Sequence, residues 1–146
     1  MIQNKFGVFL GPLVLSFLGL GLISCSTKTV FTPKSSYPSD PWVKGYAGDD
    51  DCLGGEKLAA IDFALPEYPR RAFNTGRQGW AIIRLDVNAQ GLTNNVEIER
   101  SLPNGLFDGV SRKAVQAWRF APPEGGALFN CRVLLRYRGG SVSLGS

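Results

Sequence analysis

The stretch GWAIIRLDVNAQG, residues 79–91, decides the fold. Ala81, Ile83, Leu85 and Val87 fall on one side of an alternating pattern, and Trp80, Ile82, Arg84 and Asp86 on the other. A period of two is the mark of a half-buried strand. NAQG then reads as a turn, with Gly91 the natural residue for a positive φ. Alternation resumes at once in TNNVEIERS, residues 93–101, with Val96 and Ile98 inward and Glu97 and Glu99 outward. Two alternating runs across a glycine turn predict a β-hairpin.

Outward from the hairpin the period changes. In LFDGVSRKAVQAWRFAPP, residues 106–123, Phe107, Val110, Ala114, Ala117 and Trp118 recur at three- and four-residue steps and predict one apolar stripe of a helix. Asp108 is placed to cap its start, Arg112, Lys113 and Gln116 take the wet side, and Pro122-Pro123 is expected to stop it. LFNCRVLLRYRG, residues 128–139, predicts a final strand with Cys131, Val133, Leu135 and Tyr137 on one face. Upstream, EYPRRAFNTG, residues 67–76, predicts a short helix, with Pro69 in its first turn and Gly76 at its C-cap. The resulting fold class is α+β: a small antiparallel three-stranded sheet (hairpin, helix, strand) with helices packed on one face.

The 146 residues hold 16 Lys and Arg against 12 Asp and Glu, a net charge of +4 that is scattered and forms no basic run, so no nucleic acid is expected as a partner. With no His in the chain, no nucleophile motif and no phosphate loop, no catalytic residue and no cofactor are expected. Without His and without a C-x-x-C pair, a metal site is not expected either. Asp49-Asp50-Asp51 lacks the alternating oxygen ligands of a calcium loop and reads as solvated.

The amino terminus has its own pattern. Lys5 precedes an uncharged apolar run, residues 6–23, which suits an export signal and is also near the length of a membrane-spanning helix. Leu22-Ile23-Ser24-Cys25 resembles the bacterial lipoprotein lipobox, in which cleavage precedes a Cys that then carries acyl chains. Several chains anchor a protein stably where one is marginal. The expected organisation is a lipoprotein signal peptide over 1–24, a flexible tether over 25–51 punctuated by Pro33, Pro38 and Pro41, and a folded domain over 52–146. Loss of Lys5 with the signal would lower the net charge to +3.

Residues 66–137 resemble the carboxy-terminal domain of TonB-family proteins. The resemblance is carried by Tyr68-Pro69, Ala72, Gly76, Gly79, Gly91, Ser101, Phe107-Asp108 and Trp118-Arg119-Phe120-Ala121-Pro122, in that order and at family spacing. It implies a periplasmic domain of the Gram-negative cell envelope that grips an extended segment of outer-membrane TonB-dependent transporters by β-strand addition. The candidate edge is the last strand: Arg132, Val133, Leu134, Leu135, Arg136, Tyr137 and Arg138. Its plain alternative is a charge-protected sheet edge. A homodimer through sheet edges is a further expectation.

The chain departs from the energised members of the family. Those keep an uncleaved transmembrane helix with a Ser and a His one turn apart; here Ser16 is followed at that spacing by Leu20. The residues from 26 to 65 reach at most ~140 Å when fully extended. The leading expectation is therefore a TonB-like interaction domain on a lipoprotein, facing the periplasm and held at the outer membrane more than the inner, since Ser26 rather than Asp follows the Cys. The alternative is an energy transducer that keeps its helix and drives TonB-dependent uptake. With Cys25 as the lipidation site, Cys52 and Cys131 remain as an even pair, and a disulfide is expected in an oxidising compartment. Such a bond would bring residues 49–55 beside the candidate edge.

Overall fold

The structure is a computed structural model that describes residues 29–41, 52–53 and 57–145. Its elements in chain order are β1 (Ala60–Asp62), α1 (Arg70–Asn74), β2 (Gly79–Val87), β3 (Thr93–Leu102), α2 (Asp108–Gln116), β4 (Arg119–Phe120), β5 (Leu128–Arg138) and β6 (Ser141–Leu144). β2 and β3 are the expected hairpin, turning at Gly91 with φ 79°. The main sheet has four antiparallel strands in the order β3-β2-β5-β6, one more than the sequence suggests, and β1 pairs with β4 in a separate two-stranded sheet.

Alternation sorts the side chains as expected. Ala81, Ile83, Leu85 and Val87 of β2 join Cys131, Leu135 and Tyr137 of β5 in the main core, closed by Phe107, Val115, Trp118 and Phe120. Trp80, Ile82 and Leu134 point to the opposite face, where Tyr37 packs against them. Aromatic rings bind the main core together: Phe107 stacks on Tyr137 at 4.2 Å, and Tyr68 meets both edge-on at 5.9 and 5.6 Å. Such pairs stabilise beyond the area they bury.

α2 differs from its predicted form in three ways. The residues it buries are Ser111 and Val115, while Val110 and Ala114 are half-buried and Ala117 is exposed. Ser111 tolerates burial because its hydroxyl shares a 2.7 Å hydrogen bond with the Tyr137 hydroxyl. Asp108 is the first helical residue, Phe107 takes the cap position, and no side chain caps the helix. The helix also ends at Gln116, well before Pro122-Pro123, because Phe120 N–H goes to Gly91 O at 2.8 Å and residues 119–120 turn into β4. A Cβ on residue 91 would sit 2.0 Å from the Phe120 carbonyl oxygen, so glycine serves both the turn and the close approach.

Residues 29–41 are no free tether. Phe31 lies between Tyr68 and Phe73 at 5.4 and 5.3 Å. Lys34 N–H donates to Gly76 O at 2.9 Å. The Gln78 side-chain amide donates to Ser35 O at 2.8 Å, and the Trp80 indole to Ser39 O at 3.1 Å. This segment is a strap that closes the sheet face opposite the helices. The other residues of the expected tether, 25–28 and 42–51, lie outside the described residues, as does the expected signal peptide over 1–24.

Candidate functional site: the outer edge of the long strand

β5 is the longest strand, and β2 occupies one of its edges from Gly79↔Tyr137 to Val87↔Leu128. The candidate site is the other edge. The sequence reading takes β5 as the last strand and this edge as open; the structure corrects that. β6 pairs along its carboxy-terminal half, with Leu135↔Leu144, Arg136↔Ser143, Tyr137↔Val142 and Arg138↔Ser141, and Gly145 N–H extends the ladder to Leu134 O at 2.7 Å. The hairpin between them turns on Gly139 and Gly140, with φ 60° and 83°. Two positive φ values define the turn that matches strand twist, and a Gly-Gly pair is its sequence signal. That signal was present in GGSVSLGS, a run otherwise easily taken for a polar tail.

The amino-terminal half of the same edge meets another segment. Cys52 and Cys131 form a disulfide, and Leu53 N–H donates to Phe129 O at 3.0 Å. The expected pairing is thus present, and it sets residues 52–53 beside β5 upstream of β6. β6 and the Cys52-Leu53 segment together line the edge at its two ends.

The seven expected edge residues divide by face. Val133, Leu135 and Tyr137 face the helices, and Leu135 and Tyr137 are fully buried. Burial pushes the Tyr137 hydroxyl up to about 12, against the smaller opposing effect of its Ser111 bond. Tyr68, above it, is raised to about 12 by burial as well. Arg132, Leu134, Arg136 and Arg138 occupy the other face. Arg132 Nε contacts Glu99 at 2.7 Å, Arg136 Nε contacts Asp40 at 2.8 Å, and Arg138 lies over the Tyr37 ring at 5.4 Å. Arg136 also donates to Leu144 O at 3.2 Å, which ties β6 down. The arginines therefore do not guard the edge, as the sequence suggests; they hold the strap, β3 and β6.

Gln78 is a residue that the sequence reading missed. It is buried, its amide donates to the strap at Ser35 O, and its carbonyl accepts Gly139 N–H at 2.8 Å. One side chain thus links the strap to the β5–β6 turn. Nothing in the alternation marks it, because it stands just before β2.

Among the described residues no three His, Cys, Asp or Glu side chains form a metal-binding group. Among the same residues no helix is long and apolar enough to cross a membrane. Cys25 and the apolar run 6–23 lie outside them.

The site thus belongs to a small α+β domain in which β6 pairs along part of one edge of the long strand β5. The profile of the family described as "Gram-negative bacterial TonB protein C-terminal" matches residues 64–138, just over half of the 146-residue chain. The chain belongs to that family. It is 40% identical over 55 residues to Protein TonB of Xanthomonas campestris pv. campestris strain B100, covering 38% of this chain and 25% of that protein. It is 28% identical over 80 residues to Protein TonB of Escherichia coli K12, covering 55% of this chain and 34% of that protein. The match thus spans only about a quarter to about a third of the length of these relatives. Among solved structures it is similar to the Pseudomonas aeruginosa TonB CTD determined by solution NMR, with a TM-score of 0.45 and 22% identity, over 64% of this chain and 90% of that one.

Proposed function

We propose that this chain is a lipid-anchored, TonB-like interaction module of the cell envelope. In this reading Cys25 carries the acyl chains, and the domain faces the periplasm from the outer membrane. Its partner is the extended segment of an outer-membrane TonB-dependent transporter, or of another envelope protein acting in the same transport. The segment adds to β5 as a strand, replacing β6, so that the backbone of residues 134–138 bonds the partner in place of its own tail. The role is binding rather than catalysis.

The observation that supports this most directly is the character of β6. It has four residues, of which three are exposed, and it follows a two-glycine turn. Short edge strands hold few bonds and exchange readily. Main-chain pairing gives the partner affinity without a deep pocket, and alternate side chains give it specificity.

The test compares the full chain with one ending at Gly140, each titrated with synthetic amino-terminal segments of transporters and with scrambled controls. The shortened chain should bind about tenfold more tightly or better, since the native chain populates its binding-competent state only in part. Equal binding by both chains, or none above the scrambled control, would rule out β5 as the docking strand.

A further inference from the structure

The strap changes where an acylated Cys25 would put the domain. From Phe31 onward the chain is fastened to the end of the domain that carries α1, through the Phe31 contacts with Tyr68 and Phe73 and the Lys34 bond to Gly76. Only residues 26–28 separate Cys25 from Thr29, the first described residue. Four residue steps span at most roughly 14 Å. A domain expected on a long leash is instead held within one headgroup layer or so of its anchor.

The end of the domain that arrives there is basic. Lys34, Arg70, Arg71 and Arg77 are all exposed around α1. None of the four is in an ion pair with a described carboxylate, whereas Arg84, Arg132 and Arg136 are each paired. Glu67 is the acid nearest in sequence to α1, and Asp40 of the strap is committed to Arg136. Arg71 and Arg77 open on a shared groove with Thr75. Arg70 opens this one-turn helix, where positive charge is unfavourable, and only Arg71 stands in its last turn. Val30, beside this collar, is 79% exposed. Unpaired cations with an exposed apolar side chain next to a lipid attachment point match an anionic bilayer surface in charge and in polarity.

We propose that Lys34, Arg70, Arg71 and Arg77, with Val30, seat this end of the domain on the anionic phospholipid surface that holds the Cys25 acyl chains. The guanidinium groups engage lipid phosphates, for which their fork geometry is suited. The β5–β6 turn lies at the same end, because Gly140 packs on Phe31 and Phe73. The docking edge thus starts at the headgroups and runs away from them, presenting itself to a partner emerging from the same membrane. The seat rests on the acylation proposed above.

The experiment separates the two. The full chain is produced in a Gram-negative host, its amino terminus is weighed by mass spectrometry, and the acylated protein is placed in phosphatidylethanolamine vesicles with and without phosphatidylglycerol. Amide exchange of residues 29–34 and 70–77 should slow roughly tenfold or more when the anionic lipid is present, in line with several basic residues at a charged surface. The effect should vanish in 1 M salt, where the screening length is about 3 Å. It should also vanish in the Lys34→Glu, Arg71→Glu, Arg77→Glu variant, whose β2 amides report that it is folded. Equal exchange in both vesicles, with Cys25 acylated, overturns the seat and leaves the anchor standing. An intact Met1 or a bare Cys25 overturns the anchor and the seat together.

Discussion

The two faces of the main sheet are closed by different means. The helix face is sealed by side chains set at regular spacing: Phe107 on Tyr137, Tyr68 across both, and Val115 and Trp118 beside them. The strap face has a smaller apolar cluster, Trp80, Ile82 and Leu134 with Tyr37, and is held largely by polar contacts from residues 35–40. The first face lies within the family's stretch of 64–138 and the strap lies before it. The larger apolar core of the helix face is expected to carry most of the folding free energy, and the strap, held largely by polar contacts, to open at lower cost.

The largest test of that contrast is Phe107→Ala. Removing a fully buried aromatic that stacks on Tyr137 should destabilise the domain by about 3–5 kcal/mol. Urea denaturation should show one transition shifted for every probe, the strap included. A variant that loses only strap signals would mean that the core is not where the free energy lies.

Next comes alkali, which acts on the helix face through Tyr137. Its folded pKa is raised to about 12, chiefly by burial, above an unfolded value of about 10. The folded chain then holds its proton more tightly than the unfolded one. The associated stability is full below pH 10 and is lost as pH rises toward 12, to a total of about 2–3 kcal/mol. Tyr68 acts with the same sign. Tyrosinate absorption and core circular dichroism, followed together, should change in concert above pH 10; independent titration of all tyrosines while the fold persists would contradict this.

These two faces also explain what could be read from the sequence. Alternation in residues 79–87 divided the side chains of β2 between its faces correctly, because successive side chains of a strand point to opposite faces. The order of hairpin, helix and long strand was legible for the same reason. The strand is not half-buried as expected, however: residues 79–83 are buried on both faces, Trp80 and Ile82 with Tyr37 of the strap. The strap was not, since Ser35 and Ser39 contribute main-chain oxygens that any residue possesses. β6 escaped because a four-residue strand is too short to show a period, although the two glycines before it were a usable sign. Ser111 was assigned no role, since a buried serine is intelligible only once Tyr137 is known to lie opposite. The candidate edge was read on β5 as the last strand, whereas β6 follows it and pairs along half of that edge.

On the strap face, Gln78→Leu keeps approximate bulk and removes the amide. It costs the bond to Ser35 O and leaves Gly139 N–H without its acceptor. About 1–2 kcal/mol should be lost. The informative outcome is its distribution. Amides in 29–41 and in 139–144 should exchange faster together, while β2 and β3 stay protected. If only one of the two segments loosens, Gln78 does not couple the strap to the cover strand.

The smallest effect expected is from Asp40→Asn. Asp40 joins the strap to Arg136 at 2.8 Å, with the two side chains 37% and 24% exposed. Pairs this accessible contribute less than about 1 kcal/mol, and salt screens them. Global stability should therefore hardly move, yet Arg136 is the same side chain that donates to Leu144 O in β6. Loss of the carboxylate frees the guanidinium to favour that carbonyl, so strap exchange should quicken while β6 exchange holds steady or slows. The difference should fade in high salt, because only the wild-type ion pair is screened. Equal quickening of both segments would instead make the strap and β6 a single unit that opens as one, and docking at β5 would then require the release of residues 29–41 as well as 141–144.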